Sequence, residues 1–279
     1  MVKIVADTTS GLPREVLNNL GIQFVPQIVV FGEESFRDDT EIDTATFLVK
    51  LKESKELPKT AAPAPAIYNS IYSQAKQQGE SLVVIAPSAK VSGTVRAATV
   101  AAQDYPGLDV RVVDSQTIAG NLASLVLMAD GWAKEGLHAD AIVNRLDSWI
   151  TRGRIFFLVN TLEYLQKGGR IGGAKALMGE LLQVKPILCL RDGQVEPFEQ
   201  QRTKKRALAR LLEIVEEQCP KSPEAQLCVM QADAVVEAEQ LASDLRTRMQ
   251  ISSIPIYELP PAIVVHGGPG VLGIGFFVA

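Results

Sequence analysis

The triplet Ser92-Gly93-Thr94 is the most informative candidate for binding chemistry, because it lies where an apolar run turns into a helical stretch. The apolar run Leu82–Ala86 precedes it through a polar turn. Ser92 and Thr94 would supply hydroxyls, and the turn through Gly93 would supply free backbone N–H groups at the positive end of the helix dipole. The triplet therefore predicts an anion-binding turn, with a plain helix N-cap as the alternative.

His266 is a second candidate, since it stands between an apolar run and a glycine-rich turn. We predict a strand over Ala262–Val265, which would let the histidine point from the strand end into a cleft; a core histidine with satisfied hydrogen bonds is the alternative. The following segment Gly268–Gly273 matches GxGxxG. A dinucleotide fingerprint must open a helix within a βαβ unit, whereas Ile274–Val278 is typical of a strand. We therefore expect no dinucleotide site there.

Two arginines are placed to contact an anion. Arg170 follows a Gly-Gly pair at the end of a short helical turn, and Arg202 lies in a loop before a predicted helix. The planar guanidinium group binds carboxylates and phosphates through paired hydrogen bonds. We predict a phosphate or carboxylate contact at Arg170 and Arg202, whereas the neighbouring Lys204–Arg206 are expected to lie on a solvated helix face.

The elements that would position these residues alternate along the chain. The runs typical of strands are Lys3–Ala6, Phe24–Phe31, Leu82–Ala86, Val110–Val113, Ile155–Val159, Ile187–Leu190, Leu227–Gln231, Ile254–Glu258, Ala262–Val265 and Gly273–Val278. Apolar residues recur at helical intervals within residues 118–132, 142–150, 208–215 and 238–249. Alternating strands and helices predict an α/β protein.

The two halves of the chain differ in their connections. Helix-length connections in the first half favour parallel pairing, which predicts an N-terminal three-layer α/β/α domain with a mainly parallel sheet. Strand candidates around Leu188–Val195 and Ile256–Phe277 lie too close together for helical crossovers, which predicts a C-terminal α/β domain with a mixed sheet. A break near Trp149–Arg154 gives two predicted domains, residues 1–150 and residues 151–279.

Polar turns follow three of the predicted parallel strands. They are Asp7–Gly11, the turn containing Ser92, and Asp114–Thr117. Parallel strands bring such turns to one edge of the sheet, where open α/β sheets bind their ligands. Thr60 is predicted to lie in a loop just before a helix and adds a further hydroxyl.

Composition excludes several classes of protein. The net charge of -4 disfavours nucleic acid as a general partner, because phosphate binding needs a basic face. No apolar run approaches the roughly 20 residues of a membrane span, so we expect no stable membrane insertion. The N-terminal segment is too short and too soon polar for a secretory signal, which predicts a cytoplasmic protein.

Cysteine, histidine and glycine patterns give little sign of a metal or nucleotide. Cys189, Cys219 and Cys228 form no CxxC pair, and we expect them to pack as small hydrophobic residues. Only two histidines are present, which disfavours a zinc cluster. No GxxxxGK[ST] loop occurs, so the sequence offers no phosphate-cradling loop for ATP.

Seven short motifs, taken together, resemble those of the DegV family. The family typically shows a D-[ST]-x-[SD] turn, a TSQP loop, an SGT turn, a DS turn, a TLxYLxKGGRI segment, a KPIL strand start and HxGPG. Their counterparts occur here in family order, at Asp7–Ser10, Thr60–Pro63, Ser92–Thr94, Asp114–Ser115, Thr161–Ile171, Lys185–Leu188 and His266–Gly270. The resemblance spans the whole chain, and the Lys167–Ile171 segment with His266–Gly270 is its most specific part.

The resemblance implies a two-domain α/β protein that holds one long-chain fatty acid in an internal tunnel. Family members bind the acyl carboxylate with hydroxyls that match Thr60 and Ser92 and with a histidine that matches His266. The matching turn around Ser92 also includes Gly93 and Thr94. A separate kinase subunit transfers phosphate from ATP to that carboxylate. The resemblance implicates Arg170 in work with this kinase, and Arg202 matches another family arginine.

By this resemblance the chain is a lipid-binding subunit without cofactor or enzymatic activity of its own, and we expect a monomer. Ala61 and Ala62 replace the Ser and Gln of the family loop, so any head-group contact made by those side chains is missing. Two alternatives remain: a carrier of another amphiphile, such as a retinoid, sterol or acyl-CoA, and a hydrolase using Ser92 and His266 with Asp7 or Asp114. A single-chain kinase is disfavoured by the missing phosphate loop.

Overall fold

A computed structural model describes residues 1–178 and 184–279. The strands are β1 Val2–Asp7, β2 Gln23–Val25, β3 Ile28–Phe31, β4 Glu34–Arg37, β5 Lys59–Ala61, β6 Ser81–Ala86, β7 Val110–Asp114, β8 Gly153–Leu158, β9 Lys185–Arg191, β10 Gln194–Gln201, β11 Cys228–Ala232, β12 Ile256–Glu258 and β13 Val271–Phe277. The α-helices are α1 Arg14–Leu20, α2 Thr44–Glu53, α3 Asn69–Gln78, α4 Thr94–Gln103, α5 Ala119–Lys134, α6 Ala139–Ile150, α7 Glu163–Lys167, α8 Lys204–Gln218, α9 Val235–Met249 and α10 Pro261–Gly267.

The first sheet has four parallel strands in the order β2-β1-β6-β7. Successive side chains of a strand face opposite sides of the sheet. Ile4 and Ala6 accordingly pack with α5 and α6, whereas Val5 packs with the tyrosines Tyr68 and Tyr72 and with α4. Helices therefore cover both faces, which confirms the three-layer α/β/α arrangement with parallel pairing.

A six-stranded sheet follows in the order β10-β9-β8-β13-β11-β12. Its pairs are antiparallel except β11 with β12, so the predicted mixed sheet is confirmed. One face of this sheet packs against α8 and α9, through residues such as Phe156 and Ile274. The other face carries Ile155, Phe157 and Gly273 toward a cavity. The boundary at residue 150 stays a prediction.

A small antiparallel sheet, in the order β4-β3-β5, was not expected from the sequence. The single strand predicted over Phe24–Phe31 is wrong, because β2 ends at Val25 and β3 begins at Ile28 in another sheet. Pro26 lies at this break, and proline has no N–H to give to a ladder. The loop predicted around Thr60 is also wrong, since Thr60 is on β5 opposite Val29.

The strand predicted over Ala262–Val265 is wrong as well, because these residues belong to helix α10. Short apolar runs fit a strand or a buried helix equally well by periodicity. Pro260 is the N-cap and Pro261 the first helical residue, where the fixed φ of proline favours a helix start. His266 therefore lies in the last turn of a helix instead of after a strand.

The three cysteines are free and buried, as their apolar surroundings predicted. Across residues 1–178 and 184–279, the structure has no helix with both the length and the apolar character needed to cross a bilayer. In the same two ranges, no group of histidine, cysteine and acidic side chains is arranged to hold a metal ion.

Candidate functional site: an apolar cavity with one polar end

A cavity lies between the six-stranded sheet, helix α10 and the carboxyl ends of the parallel strands. It holds about 970 Å³ of space free of protein atoms, including its open end, and about 120 Å³ of this admits the centre of a water molecule. Most of its wall is apolar, and examples are Ile118, Ile155, Phe157, Leu190, Met230 and Ile263. Small-molecule sites are typically concave and mostly apolar, with a few polar groups.

The polar groups gather at one end of this cavity. They are Thr9, Gln27, Thr60, Ser92, Arg170 and His266. Gly93 lies at the same end and is exposed, whereas Ser92, Arg170 and His266 are half-buried. The polar end of the cavity therefore reaches the protein surface at Gly93.

The Ser92-Gly93-Thr94 turn has the helix-start geometry that the sequence predicted. Gly93 is the N-cap of α4, and Ser92 Oγ accepts a hydrogen bond of 3.3 Å from the backbone N–H of Thr94. Ser92 and Gly93 line the cavity, but Thr94 is fully buried behind them. Thr94 Oγ1 lies 3.0 Å from Ser92 Oγ and donates to Asp7 Oδ2 over 3.0 Å. Thr94 thus supports the turn instead of lining the cavity.

Asp7 organises the polar groups behind the turn. Its Oδ1 accepts from the backbone N–H and the hydroxyl of Thr9, at 2.8 and 2.6 Å. Its Oδ2 accepts from Gln27 Nε2 at 2.6 Å, and the same nitrogen lies 2.8 Å from Thr94 Oγ1. Burial raises the pKa of Asp7, and these hydrogen bonds partly oppose the rise. Because Thr94 gives its proton to Asp7, Ser92 is the donor in its hydrogen bond with Thr94 Oγ1.

Asp38 forms a second buried carboxyl group beside this network. Its Oδ1 accepts from Thr8 Oγ1 and from the backbone N–H of Gln27, both at 2.8 Å. Within residues 1–178 and 184–279, Asp38 Oδ2 is buried without a hydrogen-bond partner. Burial raises the pKa of Asp38 to about 7; the hydrogen bond from Thr8 opposes the rise, and the charge of Asp7 adds to it. Sequence reasoning missed Gln27 and Asp38.

His266 and Thr60 meet at the polar end, although they come from a helix and an edge strand. Thr60 Oγ1 lies 2.8 Å from His266 Nε2. His266 Nδ1 is buried, and no hydrogen-bond partner for it occurs in the described parts of the chain. Burial, reinforced by the charge of Arg170, lowers the pKa of His266 to about 4. The imidazole is therefore neutral at neutral pH.

The two most specific sequence motifs pack directly against each other. A Cβ at Gly168 would overlap Nδ1 of His266, so the ring fits only because residue 168 is glycine. Gly268, with φ of +76°, lies against the ring of Tyr164, and Asn160 Nδ2 donates to the carbonyl of Pro269 over 3.0 Å. The Lys167–Ile171 segment therefore fixes the position of the cavity histidine.

Arg170 reaches the cavity from this same segment. Its Nε donates to the carbonyl of Val91 over 3.0 Å, and its Nη1 donates to the carbonyl of Gly168 over 2.7 Å. Burial lowers the pKa of Arg170. Arg202 is exposed between β10 and α8 and is not part of the cavity wall. Of the two alanines in the Thr60 loop, Ala62 lines the cavity beside Gly93 and Ala61 is exposed.

The polar end does not have the geometry of a serine hydrolase. A triad needs a histidine bonded to the serine and an acid bonded to the histidine. Here His266 Nε2 is bonded to Thr60, and Ser92 Oγ is bonded to Thr94. The Asp114 Oδ1 atom accepts from the backbone N–H groups of Ala89 and Gln116.

The fold and the cavity define an α/β protein with an internal apolar cavity that is polar at one end. The sequence profile described as "Uncharacterised protein, DegV family" matches residues 1–279, and the chain belongs to the DegV family. A DegV domain-containing protein of Halalkalibacterium halodurans is 33% identical over 99% of this chain and 98% of its own length.

Two solved structures share the fold over the full chain. A fatty-acid-binding DegV family protein from Thermus thermophilus has a TM-score of 0.87 and 31% identity, covering 100% of this chain and 99% of its own. A fatty-acid-binding DegV family protein from Streptococcus agalactiae has a TM-score of 0.90 and 27% identity, with the same coverage of 100% and 99%.

Proposed function

We propose that this protein binds one long-chain fatty acid, with the acyl tail in the cavity and the carboxylate beside Thr60, Ser92 and His266. The observation that carries the proposal is the polarity of the cavity, which is apolar throughout except at one surface-facing end. The two structural relatives that are described as fatty-acid-binding support it. The three side chains are the ones that family resemblance assigned to the head group.

The energetics favour such a ligand. A C16 tail would contribute roughly 12 kcal/mol at about 0.8 kcal/mol per buried CH₂. This offsets an association cost of about 4–15 kcal/mol. A buried carboxylate needs hydrogen-bond donors. The Ser92 hydroxyl would supply one by turning its proton from Thr94 Oγ1 to the ligand, since Gln27 Nε2 still donates to Thr94 Oγ1. If His266 carries its proton on Nε2, it donates to Thr60 Oγ1. The Thr60 hydroxyl proton is then free to bind the carboxylate.

The test of lipid binding is native mass spectrometry of the purified protein, followed by extraction of bound lipid and titration with a C16 acid. We expect one bound fatty acid, and weaker binding by Ser92→Ala and His266→Ala with unchanged thermal unfolding. If the extract contains a different amphiphile and no fatty acid, that amphiphile is the ligand and the fatty-acid proposal is wrong. Unchanged affinity in both variants would refute the head-group site.

The finer proposal is that a separate ATP-dependent kinase phosphorylates the bound carboxylate, which gives an acyl phosphate. Arg170 supports it, because its side chain lines the surface-facing end of the cavity and is anchored by the carbonyls of Val91 and Gly168. A fixed guanidinium group stabilises the added charge of a phosphate. In this scheme Arg202 contacts the kinase from outside the cavity.

The kinase proposal is tested with the C16-loaded protein, a bacterial fatty acid kinase subunit and labelled ATP. We expect Arg170→Ala to keep its C16 affinity and to reduce acyl phosphate formation at least tenfold, about the effect of one lost charged hydrogen bond. Arg14→Ala, an exposed arginine on α1, is the matched control. If Arg170→Ala loses C16 binding, Arg170 contacts the fatty acid itself, and its assignment as a kinase contact is wrong.

A further inference from the structure

A row of side chains across three strands forms one wall of the cavity. Leu190 of β9 pairs with Val195 of β10. The register of β8 with β9 pairs Phe157 with Leu188 and Phe156 with Cys189, and one further step puts Ile155 beside Leu190. Ile155, Leu190 and Val195 all line the cavity.

A second, smaller space lies behind this row. It holds about 270 Å³ free of protein atoms, and its wall includes Ile155 and Leu190 from the row together with Ile150 and Phe277. A wider surface depression, which also borders Ile155 and Leu190, lies beyond it. Leu190 is half-buried although it lines the cavity. The wall between the cavity and the second space is therefore one side chain thick.

We infer that Ile155 and Leu190 determine the maximum length of the acyl chain, an inference that rests on the proposed fatty-acid function. Strand β8 runs toward Asn160, which contacts the turn after His266, so its earlier residues lie progressively farther from the polar end. Ile155 lies two residues before Phe157, roughly 6.6 Å farther along the strand. An acyl tail with its carboxylate at Ser92 meets Phe157 first and is stopped at Ile155 and Leu190.

The affinity for saturated acids should then depend on chain length in two regimes. Each added methylene that is buried strengthens binding about fourfold. Once the tail reaches the row, a longer chain must displace a packed side chain, and the affinity stops rising. Leu190→Ala removes three side-chain carbons from the wall and joins the cavity to the second space, so the tail gains the volume of the lost atoms and of about one further small group.

The experiment is displacement of a fluorescent fatty acid by a series of saturated acids from C12 to C22. For Leu190→Ala we expect the chain length of tightest binding to increase by about two carbons, with the longest acids gaining at least tenfold over wild type. Leu190→Phe, which enlarges the wall, should shorten the optimum. The opposite shifts keep the test decisive if one variant folds poorly.

Ile263→Ala is the matched control, because Ile263 lines the main cavity but borders neither outer space. It should weaken all acids without moving the optimum. An optimum unmoved by both Leu190 variants, or moved equally by Ile263→Ala, would overturn the inference. If wild type bound no acid of any length, the proposed function itself would fail instead.

Discussion

Replacing Gly168 by alanine tests whether the packing of two distant motifs positions the cavity histidine. The backbone of Gly168 has a φ of -75°, which any L-residue can adopt. The added Cβ, however, would overlap Nδ1 of His266 and lie 2.9 Å from the carbonyl oxygen of Tyr164. The ring has to move, and its 2.8 Å contact with Thr60 has to break or lengthen. We therefore expect a defect in carboxylate binding that arises outside the cavity wall.

The magnitude follows from two terms. Inserting a methyl group into a packed contact typically costs about 1–3 kcal/mol of unfolding free energy. Losing an oriented hydrogen bond to a charged group costs about 1.5–3 kcal/mol, which weakens carboxylate binding roughly 10- to 150-fold. The tail contacts are unaffected, so this loss should be confined to ligands that carry a carboxylate.

The assay compares the C16 acid with the C16 alcohol, together with urea unfolding of each variant. We expect Gly168→Ala to bind the acid at least tenfold more weakly than wild type and to bind the alcohol almost normally. Gly131→Ala is the control, because a Cβ there meets open space in helix α5 and should add up to about 1 kcal/mol of stability. Wild-type acid affinity in Gly168→Ala would refute the positioning of His266 by this glycine.

Two further predictions concern the buried titratable groups. The pKa of Asp38 is raised to about 7, so the folded state binds more protons than the unfolded state above pH 4, and wild-type stability falls as pH rises toward 7. Asp38→Asn should remove this fall and be more stable than wild type at pH 8 by about 2 kcal/mol, whereas equal stability in urea unfolding at pH 8 would contradict the burial of a charge. The pKa of His266 is lowered to about 4, so the unfolded state binds more protons between pH 4 and 6.5, and stability rises with pH across that window. His266→Gln should abolish this rise, worth up to about 3 kcal/mol, when urea unfolding is measured at pH 4.5 and 7.

The sequence predicted those parts of the fold and site that depend on local pattern. The helix start at Thr94 follows from the Ser-Gly-Thr turn after an apolar run, and it occurs as expected. Parallel pairing of β1, β6 and β7 follows from helix-length connections. Thr60, Ser92 and His266 line one cavity, although their roles as ligand contacts stay predictions.

The parts that the sequence missed depend on partners far apart in the chain. Gln27 joins Asp7 to Thr94 through side-chain hydrogen bonds across a strand break, and no spacing rule marks such a residue. Asp38 lies among several acidic residues after β4, and nothing in the sequence distinguishes it from its acidic neighbours. The helix α10 could have been predicted from Pro260 and Pro261, because proline at the first helical position outweighs the β-branched residues that follow.

The position of β13 has a consequence for how the chain reaches this structure during synthesis. β13 pairs with β8 on one side and β11 on the other, so until residues 271–277 leave the ribosome the six-stranded sheet is in two pieces with unpaired edges. Pairing between such distant segments is slow and leaves apolar surface exposed meanwhile. Val271 and Gly273 also belong to the cavity wall. A nascent chain therefore has no closed cavity until residues 271–277 have joined the sheet.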